Sequence, residues 1–152
     1  MEWEKRPLGE IIQFKNGKKR PTNEGNIPVY GGNGILGYTA NANYEHCVIV
    51  GRVGAYCGSV YYEAGSCWVS DNAIAALPKS GTDIVFAYYM LKGLNLNEYR
   101  IGTSQPLLTQ EILNHIEYRI PLLPEQQQIA SVLRALDQKI DTNNKINDNF
   151  VA

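Results

Sequence analysis

Groups able to carry covalent or metal chemistry are scarce in this sequence, with 2 histidines, 3 cysteines and 2 methionines among 152 residues. The cysteines, Cys47, Cys57 and Cys67, fall ten apart, whereas zinc sites use close pairs such as C-x₂₋₄-C. Neither His46 nor His115 completes a ligand set, so small buried thiols in strands of a reducing compartment are expected, and no metal. A metal-dependent nuclease needs gathered carboxylates, and Asp71, Asp83 and the glutamates are scattered along the chain. The Asn/Asp-Pro-Pro-aromatic motif of base methyltransferases is missing, and no local signature supports a Ser-His-Asp or Cys-His arrangement. We therefore expect no catalytic residues and no cofactor.

An excess of either charge is also lacking. Lys plus Arg number 14 against 15 Asp plus Glu, so any affinity for nucleic acid has to come from local clustering. No apolar run approaches the roughly 18 residues of a membrane span. Residues 1–9 carry charges where a secretory leader needs an apolar core. A soluble cytoplasmic protein is the expectation.

Glycine and tyrosine are plentiful instead. The segment IPVYGGNGILGY places a G-x-G-x-x-G at Gly32, Gly34 and Gly37, behind an apolar run. A dinucleotide loop also needs a helix opening within the motif, because helix N–H groups hold the pyrophosphate. Here the chain continues Tyr38-Thr39-Ala40-Asn41-Ala42-Asn43-Tyr44, a poor helix former with no 3.6-residue apolar stripe. Arg52, not an acid, stands 20 positions beyond Gly32, where the fingerprint has its ribose-binding carboxylate. The glycines read as turn formers.

Three textures follow one another. Up to about Pro78 the chain is rich in Gly, Tyr and β-branched residues, with a helical turn expected over 8–12 and short strands over 27–30, 47–50, 59–62 and 73–77. Residues 82–94 predict a buried helix with a Ser80 or Thr82 cap. Residues 109–116 predict a shorter helix capped by Thr109, and 117–121 a strand ending at proline. From Pro124 a long helix begins, with Ile129, Leu133, Leu136, Ile140, Asn143, Asn147 and Phe150 stepping by four and three. That seam either folds back on its own domain or reaches for a partner helix; we favour the partner, with Asn143 and Asn147 fixing register. The predicted class is α+β: a β-rich twisted or rolled sheet with short helices over 1–121, then a coiled-coil helix over 122–152.

The run Gly102-Thr103-Ser104-Gln105-Pro106-Leu107-Leu108, and then IPLLPEQQQIA and LRALDQKI, resemble the DNA-specificity subunit of type I restriction-modification systems. The opening Trp3…Leu8-Gly9-Glu10-Ile11, the segment IPVYGGNG and Gly51-Arg52-Val53-Gly54 are similar to that family's target recognition domain. The resemblance implies a domain reading one half of a split double-stranded DNA site. Its helix would space it from a second reader and dock methyltransferase subunits, with the restriction subunit a further partner. Family members carry two such domains and two helices on one chain, so a half-subunit pairing with its copy, or a fragment, is expected. A protein-interaction adaptor without DNA reading is the rival.

Residue chemistry agrees with a reading role. Lys15, Lys18, Lys19 and Arg20 form the one dense cationic cluster, suited to phosphates, though a solvated loop would also carry it. Arg52 can present its fork to guanine or phosphate, or pair internally with Glu45, Glu63 or Asp71. Tyr30 and Asn33 frame the glycine loop; Asn33 suits adenine, and turn chemistry alone would also select it. Thr103, Ser104 and Gln105 form a polar loop with the same two readings. His46 is expected to be an ordinary sheet residue.

Overall fold

Cys47-Val48-Ile49-Val50 is an unbroken apolar run, and a strand made of it must be covered on both faces because successive side chains alternate. In the computed structural model, which describes residues 3–151 and the side chains of 3–149, all four are fully buried. They lie in β5 (Tyr44–Gly51), near the centre of a six-stranded sheet. The other strands are β2 (Ile12–Asn16), β3 (Ile27–Gly31), β4 (Gly34–Thr39), β6 (Val60–Val69) and β7 (Ala73–Pro78). Their spatial order is β2-β7-β5-β6-β3-β4, antiparallel throughout except where β3 runs parallel to β6.

Alternation sorts the strands' side chains into two cores. Val48, Val50, Ile74 and Ala76 face the larger one, which is closed by helices α1 (Leu8–Ile11), α2 (Ile84–Gly93) and α3 (Gln110–His115). Cys47, Ile49, Ala73 and Ala75 face the smaller, with Tyr30, Cys67 and Val69. A second sheet of two strands, β1 (Glu4–Pro7) against β8 (Glu117–Ile120), joins the chain's first described strand to its last. The exposed Lys5–Glu117 ion pair there spans 3.1 Å. Such a pair contributes about 0–1 kcal/mol, so burial of Leu8, Ile116 and Ile120 beside it matters more.

The expected elements form, and β5 and β6 run longer than anticipated. Three strands form beyond those expected from the sequence. Ile12-Gln13-Phe14 alternates buried, exposed, buried in β2, where a helical turn and a loop were expected instead. β4 follows the glycines expected as turn formers, since Gly34, at φ +95°, lets the chain reverse through Gly32 and Asn33 into it. β1 is the third. The α2 cap is Asp83, whose side chain accepts from Phe86 N, rather than Ser80 or Thr82; Thr109 caps α3 as expected. The three cysteines are free and buried, with Cys47 Sγ and Cys67 Sγ 3.6 Å apart. That contact, and burial, hold the Cys47 thiol well above its ordinary pKa. His46 is not an ordinary sheet residue: it sits at a bulge in β5 with φ +51°, its ring 2.6 Å from the Tyr62 hydroxyl.

Helix α4 (Leu123–Val151) does two things in sequence. Gln126 and Ala130 are buried in the globular body, and Ile129 packs against its core, next to α2. From Arg134 to Asn149 every described residue is exposed. The helix thus neither lies along its own body nor leaves it at once. The expected division at 121/122 marks where α4 begins, but packing continues for about three turns beyond it.

Candidate nucleic-acid interface

Five connections meet at one end of the six-stranded sheet, each held by backbone contacts. Gly17 donates to Ala73 O at 2.9 Å and Lys18 to Val69 O at 3.0 Å, while Trp68 Nε1 donates to Lys18 O at 2.9 Å. The β2–β3 loop is thereby laid over the β6–β7 turn. A Cβ at Gly17 would stand 1.9 Å from Ser70 O, so no other residue fits without moving backbone. At the β3–β4 turn, a Cβ on Gly32 would approach Val53 O to 2.8 Å. The loop after Tyr99 closes through paired bonds of 2.9 Å between Ile101 and Leu107 and docks through Gly54 N to Pro106 O, also 2.9 Å. These contacts leave a cleft of about 710 Å³ lined by Val53, Gly54, Asn72, Thr103, Ser104 and Gln105.

Most of the expected residues come together here. Lys15 lies next to the end of β2 and is exposed, and Lys18, Lys19 and Arg20 are exposed on the loop. None of the four makes an ion pair among the described residues, whose salt bridges lie at Lys5–Glu117 and Arg6–Glu10. Arg20 rests its guanidinium over Gly37 of β4, where a Cβ would come within 2.9 Å of Nη2. Asn33 is exposed in the β3–β4 turn, and its Oδ1 accepts from Tyr61 OH at 3.2 Å, which leaves the amide nitrogen pointing away from that bond. Thr103, Ser104 and Gln105 are exposed at the cleft.

Two expectations need correction. Tyr30 does not frame a surface: it is buried in the smaller core and donates its hydroxyl to Glu63 Oε1 at 3.2 Å. Burial, the Glu63 carboxylate and that bond raise its pKa well above the phenolic range. Val29 and Tyr30 point to opposite faces of β3, and both are buried where β3 is flanked by β4 and β6, so coverage of both faces and not parity decides this. Arg52 forms no ion pair with Glu45, Glu63 or Asp71. Its Nε and Nη2 instead donate to the Asp71 carbonyl at 3.0 and 2.8 Å, and its own N–H donates to Asn72 O at 2.9 Å. It pins the β6–β7 turn and leaves Nη1 without a protein acceptor among the described residues.

The sequence reading passed over Asn72, Tyr61 and Trp68, which line the cleft, hold Asn33 and hold the cationic loop respectively. The polar turn Ser70-Asp71-Asn72 between two apolar strands was the available signal. Among the described residues no group of three or more His, Cys, Asp and Glu is placed to hold a metal ion, and no helix is long and apolar enough to cross a membrane.

Along α4 the seam divides. Ile129 and Leu133 are partly covered by the chain's own body. Leu136 and Ile140 are more than half exposed, as is Val132 beside them, and Ile146 is 47% exposed. Asn143 and Asn147 are exposed within that stripe; the side chain of Phe150 lies outside the described residues.

Comparison with known proteins agrees with this geometry. The family model for the type I restriction modification DNA specificity domain matches residues 1–149. The chain is similar to the type I restriction enzyme EcoprrI specificity subunit of Escherichia coli, at 31% identity over 147 residues. It is also similar to a putative type I restriction enzyme specificity subunit of Haemophilus influenzae, at 28% over 145 residues. Each alignment covers 90% of this chain but only 36% and 37% of those relatives, so the chain spans little more than a third of their length. The S subunit of a type I restriction-modification system from M. genitalium superposes on 93% of this chain with a TM-score of 0.81 at 22% identity, using 41% of its own length. The HsdS subunit from Thermoanaerobacter tengcongensis does so over 93% with a TM-score of 0.69 at 19% identity, using 39% of its own. The chain belongs to the type I restriction-modification DNA specificity family, and its fold is that of one target recognition domain carrying a long helix.

Proposed function

We propose that this chain is a sequence-reading DNA-binding module. It contacts one half of a split duplex target through the loop end of its sheet, and contributes α4 to the assembly with methyltransferase subunits. The observation that carries the reading is the convergence of unpaired Lys18, Lys19 and Arg20 with the exposed polar loops of Asn33 and Thr103–Gln105, on a backbone locked by close-packed glycines. Cations without acidic partners are free to displace counterions from phosphate, and exposed amides and hydroxyls on rigid loops suit base edges. Residues 1–121 act as the reading head in this scheme and 122–152 as the spacer.

Pairing with a second copy through Leu136, Ile140 and the exposed asparagines of α4 would bring two heads to a two-fold symmetric, interrupted site. The restriction subunit would join through the methyltransferase subunits. The test is selection from random duplexes with the intact chain and a methyltransferase subunit present. An interrupted, symmetric motif is expected, and the absence of any enriched motif would overturn DNA reading. The exposed stripe of α4 favours one alternative, an adaptor that docks proteins only. In that case Lys18→Glu with Lys19→Glu would leave DNA affinity unchanged.

A further inference from the structure

Among the described residues Gln126 is the one polar residue in the set of largest fully buried side chains, and its position explains why. It sits in the opening turns of α4, and its amide meets three backbone groups from two other segments. Oε1 accepts from Asp83 N at 2.9 Å; Nε2 donates to Pro121 O at 2.9 Å and to Gly81 O at 3.2 Å. Asp83 is the cap of α2, so this single amide ties the start of α4 to the start of α2. A second tie lies 11 residues along α4, where Tyr89 of α2 donates its hydroxyl to Asp137 Oδ2. At 1.5 Å of rise per residue the two ties are about 16 Å apart. Ile129 and Ala130 fill the space between them with apolar contact, and Trp3 Nε1 holds Glu125 Oε1 at 3.0 Å on the flank.

One attachment leaves a rod free to pivot. Two attachments fix its direction. Apolar packing between helices tolerates small rotations, whereas directional hydrogen bonds at separated points do not. We propose that Gln126 and the Tyr89–Asp137 pair are positioning residues: they set the angle at which α4 leaves the reading head, and so the number of base pairs between the two half-sites. The proposal rests on the DNA-reading function above and adds a determinant of spacing to it. From Asp137 to Asn149 the free rod extends about 18 Å, so a tilt of about 10° moves its end by ~3 Å. That is close to one base-pair step of ~3.4 Å. A small change in exit angle is therefore enough to change spacer length by one.

The experiment uses the intact chain with and without the methyltransferase subunit. Nitroxide labels on Thr22→Cys and Lys145→Cys, in chains diluted with unlabelled protein, report the distance from the cationic loop to the far part of α4; the native cysteines are buried, and the chain without added cysteines is the labelling control. A narrow distribution is expected for the otherwise wild-type chain, and a broad one for Tyr89→Phe, Asp137→Ala and Gln126→Leu. Duplex selection with the same variants should then give an unchanged half-site sequence with spacers spread over at least two adjacent lengths. Tyr89→Phe removes only a hydroxyl, so it gives a reading even where Gln126→Leu folds poorly. An unchanged distance distribution overturns the inference. So does a single unchanged spacer, whether or not affinity falls, since a purely structural role would lower affinity without altering spacing. If the distances broaden but the wild-type chain enriches no motif, the splint stands as a property of the fold, the link to spacing falls, and the failure lies with DNA reading.

Discussion

Lys18 and Lys19 reach solvent from a loop whose backbone is bolted to Val69 and Ala73, so their charges are held in place without being neutralised. Each phosphate neutralised contributes about −0.9 to the slope of log K against log salt. Replacing both by Glu is expected to weaken duplex binding uniformly across sequences and to flatten that slope by about 2, measured by anisotropy titrations in a salt series. Asn33→Ala and Gln105→Ala should behave otherwise. Losing a base-edge contact costs about 1–3 kcal/mol of discrimination at one position and leaves the salt slope alone. A variant that lost affinity evenly over all sequences would show that its side chain touches backbone only.

Titration offers a second check on single residues. The Tyr30 hydroxyl is held above its ordinary value by burial and by Glu63. The unfolded chain therefore releases this proton at lower pH than the folded one. Its contribution to stability is complete below the ordinary phenolic value of about 10 and falls as pH rises through it. Urea midpoints should decline as pH approaches and passes about 10, and Tyr30→Phe should flatten that decline. An unchanged difference between the two proteins over the range would show that the hydroxyl does not differ between the two states.

Elements obey the same bookkeeping of covered and uncovered faces. β5 is buried on both sides, and Ile49→Ala, in the middle of it, should cost about 2–5 kcal/mol in denaturant unfolding. In α4 the covered face ends near Leu133, and the stripe beyond it is open. Leu136→Asp with Ile140→Asp should therefore leave the unfolding temperature of dilute, monomeric protein nearly unchanged, since both side chains are more than half exposed in the single chain. If α4 pairs with a second copy, the same substitutions should abolish self-association in light scattering at high micromolar concentration. A large drop in the melting temperature of the monomer would mean that the stripe packs on its own body.

At the scale of the whole molecule, head and rod share a core. Gln126 and Ala130 are as buried as residues of the sheet, and Gln126 supplies the partner for Asp83 N. A chain ended after Lys139 should melt cooperatively, close to the full-length temperature. Ending it after Pro121 removes Gln126 and Ala130 and the packing of Ile129, which uncovers the apolar core beneath them, so a markedly lower melting temperature is expected. Calorimetry of the two truncations separates a spacer that merely follows the domain from one that completes it.

Local chemistry already decided much of this protein in the linear order of its residues. The absence of a helix after Gly37 excludes a phosphate loop, short apolar runs specify β3, β5 and β7, Thr109 caps α3, and the four-three stepping of apolar residues specifies α4. These depend on propensity and periodicity within a few turns of chain. Tertiary structure alone decided that β2 forms, since it is completed by β7, distant in sequence. It also decided that Tyr30 goes inward, that Arg52 clasps a carbonyl instead of a carboxylate, and that the helix stops packing near Leu133. In each case the deciding quantity is which groups, remote along the chain, arrive within about 4 Å, and no local pattern encodes that.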